Sequence, residues 1–97
     1  MGKIILKTDQ PNKASEVLLE ALEAATSRFE YSLSLAQKRL LKFEKKYKIS
    51  SEEFINTWTA ENLSGKDMEY VEWVGEYQFS LSMKERLNTL HNIKYVA

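Results

Sequence analysis

Hydrophobic and small residues recur every three or four positions along the first half of the chain. Alternating steps of three and four place these residues on one stripe of a helix, as in helices that pack lengthwise against each other. Neither glycine nor proline interrupts residues 12–47. The pattern predicts a long helix over residues 12–48. It also predicts a self-association seam formed by Leu18, Leu22, Phe29, Leu33, Leu40, Phe43 and Tyr47.

A helix of this length is too long for a compact monomer of 97 residues. It would extend for roughly 50 Å, whereas a compact domain of this size has a radius of gyration near 13 Å. The stripe therefore needs a second helix that runs back along it, a second copy of the chain, or both. We expect an antiparallel hairpin that associates into a dimer or a larger oligomer.

Two further helices are indicated by their end signals. Ser50 and Glu53 have the spacing of a capping box at the start of a helix, which predicts a short helix over residues 50–62. Asp67 can cap a third helix over residues 67–92, which carries acidic residues near its start and basic residues toward its end. These two helices supply the return path that the long helix needs.

The segment before the long helix has a pattern that is typical of a strand rather than of a helix. Residues 3–8 are rich in aliphatic residues and precede a turn-prone stretch, so residues 1–11 predict a short strand and a turn. A strand needs a partner for its backbone groups, and the candidates are residues 93–96, a second copy, or another protein. The predicted fold class is mainly α: a single helical domain over residues 1–97, built as a long-helix hairpin or bundle with a short N-terminal strand.

The amino-acid composition excludes several classes of function. The chain is 43% hydrophobic and 29% charged, and it contains no cysteine, which excludes disulfides and thiol chemistry. Fourteen basic and fourteen acidic residues give no net charge, although residues 1–50 carry +4 and residues 51–97 carry −4. No apolar run approaches the length of a membrane span, and the first residues are charged too soon for a signal peptide. We expect a soluble, cytoplasmic protein.

Aromatic and acidic residues after residue 57 form the candidate partner-binding set. Tryptophan and tyrosine dominate binding hot spots, and an acidic helix face suits a basic partner. The set is Trp58, Glu69, Tyr70, Glu72, Trp73, Glu76 and Tyr77. Glutamates at this spacing also occur in di-metal helical bundles, but those bundles need a Glu-x-x-His pattern, which this sequence lacks. We therefore expect no metal site and no cofactor.

Two alternatives remain open. Arg86 and His91, with four residues between them, resemble the motif of the HEPN family of all-helical ribonucleases. That resemblance implies cleavage of RNA without a metal, by Arg and His from two protomers. Separately, six basic residues within residues 38–48 are of the kind that contact phosphates, so a helix that binds nucleic acid is the second alternative.

A second resemblance covers roughly residues 40–90. The stretch from Phe43 through Ser50 to Phe54, the run Glu69-Tyr70-Val71-Glu72-Trp73 and the later residues 87–90 resemble small prokaryotic antitoxins encoded beside a toxin gene. Lys48 stands where that group usually has glycine. The resemblance implies a non-enzymatic protein that binds and masks a partner, and it carries over no catalytic residue. We therefore expect a helical protein–protein interaction module rather than an enzyme.

Overall fold

The computed structural model describes residues 2–58 and 67–94. It contains three α-helices: α1 (Pro11–Tyr47), α2 (Ser51–Thr57) and α3 (Asp67–His91). The fold is mainly helical, as predicted. The ends of α1 and α3 fall within one residue of the predicted bounds, whereas α2 ends at Thr57, five residues before its predicted end. Residues 59–66, which include the last four residues of the predicted short helix, lie outside the described residues.

Both the start and the end of α1 depend on local backbone geometry. Pro11 occupies the first turn, where its missing N–H costs nothing. At the other end Lys48 adopts the left-handed conformation, with φ 55° and ψ 44°, and its N–H donates to the Glu44 carbonyl. The Ile49 N–H donates to the same carbonyl at 3.3 Å. The chain therefore turns sharply after α1 although no glycine stands there.

The start of α2 follows the predicted cap. Ser50 is extended, and its hydroxyl accepts a hydrogen bond from the Glu53 N–H at 3.2 Å. This bond satisfies one of the amide groups that have no partner within the helix. The cap directs Phe54 inward, where it is fully buried. Helix α2 thus closes one end of the space between α1 and α3.

Helices α1 and α3 pack antiparallel in a constant register. Lys46 of α1 pairs with Glu69 of α3, and Arg39 pairs with Glu76. Further along, the Arg86 guanidinium lies over the Phe29 ring, 5.6 Å from its centroid. Each step back along α1 is matched by an equal step forward along α3.

This register leaves the first part of α1 without a neighbour in α3. With Arg86 beside Phe29, the last residue of α3, His91, lies at the level of Ala24. Residues 11–23 therefore extend beyond α3 by roughly 20 Å. The molecule accordingly measures 61 × 25 × 18 Å, with a radius of gyration of 19.1 Å. We call residues 11–23 the overhang.

The predicted N-terminal strand is absent from the described residues. Residues 2–8 have no regular secondary structure, and no β-bridge is formed within 2–58 or 67–94. The physical reason is the lack of a partner. The proposed intrachain partner, residues 93–96, has no strand at residues 93 and 94, and residues 95 and 96 lie outside the described part.

Candidate functional site

An aromatic cluster fills the closed end of the hairpin. The Trp73 indole is fully buried and stacks on the Phe54 ring with centroids 3.7 Å apart and planes 5° from parallel. Phe43 stacks on the same indole at 5.3 Å, and Tyr47 lies at 5.6 Å. Leu40 completes the buried part of the cluster. All three helices contribute side chains to this cluster.

A buried polar relay anchors this cluster. The Trp73 indole N–H donates to the Ser51 hydroxyl at 2.8 Å, and that hydroxyl donates to a Glu44 carboxylate oxygen at 2.8 Å. The Ser51 backbone N–H donates to the same oxygen. Glu44 thereby supports the first turn of α2 from the neighbouring helix. No local pattern in the sequence indicates this relay, because its three residues belong to three different helices.

The predicted partner-binding aromatics belong to this core. Trp73 is buried, and three others pack half-buried against it: Trp58, Tyr70 and Tyr77. Their assignment to partner binding stays a prediction, but Trp73 has no surface to offer while the protein is folded. A binding surface at this end would use only the outer edges of the other three rings.

The predicted carboxylates are arranged along the edge where α3 faces α1. Glu69 accepts from the Lys46 ammonium at 2.6 Å and from the Tyr47 hydroxyl at 2.8 Å. Glu76 pairs with Arg39 at 3.3 Å. Glu72 is exposed, and no described residue bonds to it. Two of the three carboxylates therefore stabilise the hairpin.

Burial raises the pKa of the Tyr47 phenol above its ordinary value of 10.0. Its hydrogen bond to Glu69 and the negative charge of that carboxylate act in the same direction, whereas the Lys46 charge acts against them. Each of the first three effects disfavours the phenolate. Tyr47 is therefore a neutral donor that ties the end of α1 to α3.

The predicted self-association seam divides into two parts. Leu40 is buried, and Phe29, Leu33, Phe43 and Tyr47 are half-buried on the stretch of α1 that α3 covers. Leu18 and Leu22 lie on the overhang. Most of the predicted seam thus packs within the chain, against α3 and α2. Whether the seam also joins two copies stays a prediction.

Arg86 and His91 both lie on α3 and are exposed. Five positions on a helix correspond to about 140° of rotation, so the two side chains leave different faces. Arg86 shares the Phe29 ring with Arg28, whose guanidinium lies 5.4 Å from the centroid. His91 lines a shallow groove with Leu33 and the last turns of α3. The helix does not bring this pair together within one chain.

Two further observations concern metals and membranes. In residues 2–58 and 67–94, no three His, Asp or Glu side chains are grouped closely enough to hold a metal ion. None of the helices in these ranges is long and apolar enough to cross a membrane.

The most exposed apolar surface lies in the segment before α1. Ile4, Ile5 and Leu6 expose 86%, 77% and 68% of their surface. On α3, Met68 and Val71 expose 72% and 62%. The sequence indicated the first group as a strand, but the second was not singled out, because the apolar residues of α3 are spread around its axis. Both groups are candidates for contact with another chain.

Comparisons of the chain with protein-family models, with curated proteins and with solved structures give no match.

Proposed function

We propose that the chain is a non-enzymatic helical module that binds another protein, and that residues 4–6 make the decisive contact. The observation that carries this proposal is the exposure of Ile4, Ile5 and Leu6, in that order 86%, 77% and 68%. Three consecutive large aliphatic residues that stay in water forgo the favourable free energy of burying their apolar surface. A partner that covers them would recover it.

The chemistry of this segment favours strand addition to the partner. Two of the three residues are β-branched, and the segment has no strand partner within the described residues. An extended segment can add to the edge of a sheet, where backbone hydrogen bonds give affinity and alternate side chains enter pockets. The helical hairpin would then be the scaffold that presents the segment.

The resemblance to antitoxins suggests a specific version of this proposal. In that version the partner is the toxin encoded by the adjacent gene, and the protein neutralises the toxin by covering its working surface. The rival proposal is an RNA-cleaving dimer that uses Arg86 and His91. The exposure of both side chains leaves that proposal open.

A co-expression experiment tests the proposal. The product of the adjacent gene is expressed alone and together with the full chain, and growth is measured, followed by isolation of the complex and its dissociation constant. We expect growth to stop with the adjacent product alone and to recover with both. Ile5→Pro removes one backbone N–H and should weaken the complex at least tenfold, whereas Ile5→Val should leave the affinity unchanged.

The contrary outcomes are equally specific. Strand addition is wrong if Ile5→Pro binds as tightly as wild type while both variants melt at the wild-type temperature. The binding-module proposal itself fails if the purified chain cleaves RNA and His91→Ala abolishes the cleavage. A chain that binds nucleic acid, with an affinity that falls steeply with salt, would support the basic-helix alternative instead.

A further inference from the structure

An open groove runs along one side of the hairpin, between α1 and α3. It is lined by Arg39, Lys42, Phe43 and Lys46 from α1 and by Glu69, Val71, Glu72, Gly75 and Glu76 from α3. Gly75 carries no side chain, and the space where its Cβ atom would lie is open, with no atom within 4 Å. Another helix can therefore approach α3 closely at this point.

The two edges of the groove carry opposite charges at matching levels. The α1 edge is basic and the α3 edge is acidic. Arg39 faces Glu76 and Lys46 faces Glu69, as their ion pairs show. Lys42 lies between the two basic residues and Glu72 between the two carboxylates, so the constant register places these two within one residue, about 1.5 Å, of the same level. Both are exposed, and neither bonds to a described residue.

Apolar side chains extend this surface along α3. Met68, Val71 and Phe79 expose 72%, 62% and 42% of their surface. With Gly75 they are spaced three, four and four residues apart, which places them on one side of the helix. An apolar stripe with charged side chains along its border is typical of a contact surface rather than of a solvated helix face.

We propose that the groove binds the same groove of a second copy of this chain, around a two-fold axis parallel to the helices. Such an axis exchanges the two edges without changing their level, so the basic edge of each copy covers the acidic edge of the other. Lys42 of each copy meets Glu72 of the other, and the dimer is a four-helix bundle. A two-fold axis perpendicular to the helices would instead set like charges against each other.

This interface shares only Phe43 with the self-association seam that the sequence predicts, because that seam is largely covered by α3. It also lies away from the segment proposed to bind a partner. Lys42 is 31 residues after the start of α1, which corresponds to roughly 45 Å along the helix. The inference goes beyond the proposed function and does not rest on it, so either can fail alone.

Charge reversal tests the interface. The mass of the full chain is measured by light scattering and its dimer dissociation constant by sedimentation equilibrium. We expect a particle of twice 11.3 kDa for the wild type. Lys42→Glu and Glu72→Lys each create two like-charge contacts per dimer and should weaken it about tenfold or more. The double variant restores opposite charges and should return to within about threefold of wild type.

The matched control is Lys13→Glu, which makes the same charge change on an exposed residue of the overhang, roughly 45 Å along α1 from Lys42. It should leave the dimer unchanged, and thermal melting followed by circular dichroism identifies any variant that has lost its fold. The proposal is overturned if the wild type stays monomeric at 100 µM, or if both single reversals dimerise like wild type while folded. Failure of the double variant to recover while folded also counts against it.

Solution X-ray scattering supplies an independent readout of geometry. A dimer through the groove places the hairpins side by side, so its longest dimension stays close to the 61 Å of the single chain. A dimer through the overhang would lie end to end and reach roughly 100 Å. The longer particle would overturn the groove interface and support the predicted seam instead.

Discussion

Among the individual residues, Ser51 connects more of the fold than its size suggests. It is 3% exposed, and its hydroxyl links the Trp73 indole to the Glu44 carboxylate. Ser51→Ala would leave a buried indole N–H without an acceptor. We expect this variant to lose about 1–3 kcal/mol of unfolding free energy, measured by urea denaturation.

A serine on the surface provides the comparison. Ser82→Ala makes the same chemical change at an exposed position of α3, where no described hydrogen bond is lost. Its stability should stay within about 0.5 kcal/mol of wild type. Equal losses in the two variants would mean that the relay contributes nothing specific.

Residue-level prediction from sequence worked where the signal was local. Ser50 was identified as a cap from its spacing to Glu53, and the hydrogen bond is present. Trp73 was assigned to a partner surface, yet it is buried. A buried tryptophan needs an acceptor for its N–H, and here Ser51 supplies it from another helix. A linear sequence does not reveal that pairing.

At the scale of the helices, the end of α1 carries local backbone strain. Lys48 has φ 55°, a region that disfavours any residue with a Cβ atom. Lys48→Gly removes this strain and should raise the unfolding free energy by about 0.5–1 kcal/mol.

The control for that substitution lies three residues earlier. Lys45→Gly places glycine inside the last turn of α1, where it should lower the unfolding free energy by about 1 kcal/mol. Both variants are compared by chemical denaturation at pH 7. A loss of stability in Lys48→Gly would show that the lysine side chain contributes more than the left-handed backbone costs.

The helices differed in how well the sequence predicted them. The uninterrupted stripe from Leu18 to Tyr47 predicted α1 to within one residue at each end. The predicted N-terminal strand is not seen within the described residues, because strand formation depends on a partner that the chain does not supply there. Helix periodicity can be recognised in a single segment, whereas strand pairing depends on two segments that must come together.

At the scale of the whole molecule, stability should depend on alkaline pH through Tyr47. Its pKa is raised by burial and then by Glu69, so the unfolded chain loses this proton first as the pH rises. The contribution is complete below pH 10, the ordinary pKa of tyrosine, and is lost as the pH rises through the higher folded pKa.

Tyr47→Phe isolates this contribution. The variant lacks both the titrating group and the hydrogen bond to Glu69, so it should be less stable than wild type at pH 8. The difference should narrow as the pH rises above 10, because only the wild type loses stability through this proton, as measured by urea denaturation at each pH. A constant difference would contradict the assigned coupling.

The sequence predicted only part of the overall arrangement of the helices. The length of α1 predicted either a hairpin or a second copy, and the structure contains a hairpin that covers α1 only as far as the level of Ala24. The sequence did not indicate which face of α3 packs against α1, since the apolar residues of α3 surround the helix axis. The matched charges at Arg39 and Lys46, together with Arg86 over the Phe29 ring, make the register evident.

The constant register has a consequence for how this protein can change in length. Adding seven residues to each long helix, at the same level, would preserve every side-chain pairing at the closed end of the hairpin. The result would be a longer rod. A single added residue in α1 would instead rotate everything beyond it by about 100° and separate the matched ion pairs. Tolerated length variation should therefore come in paired heptads, and isolated insertions should be confined to the uncovered end of α1.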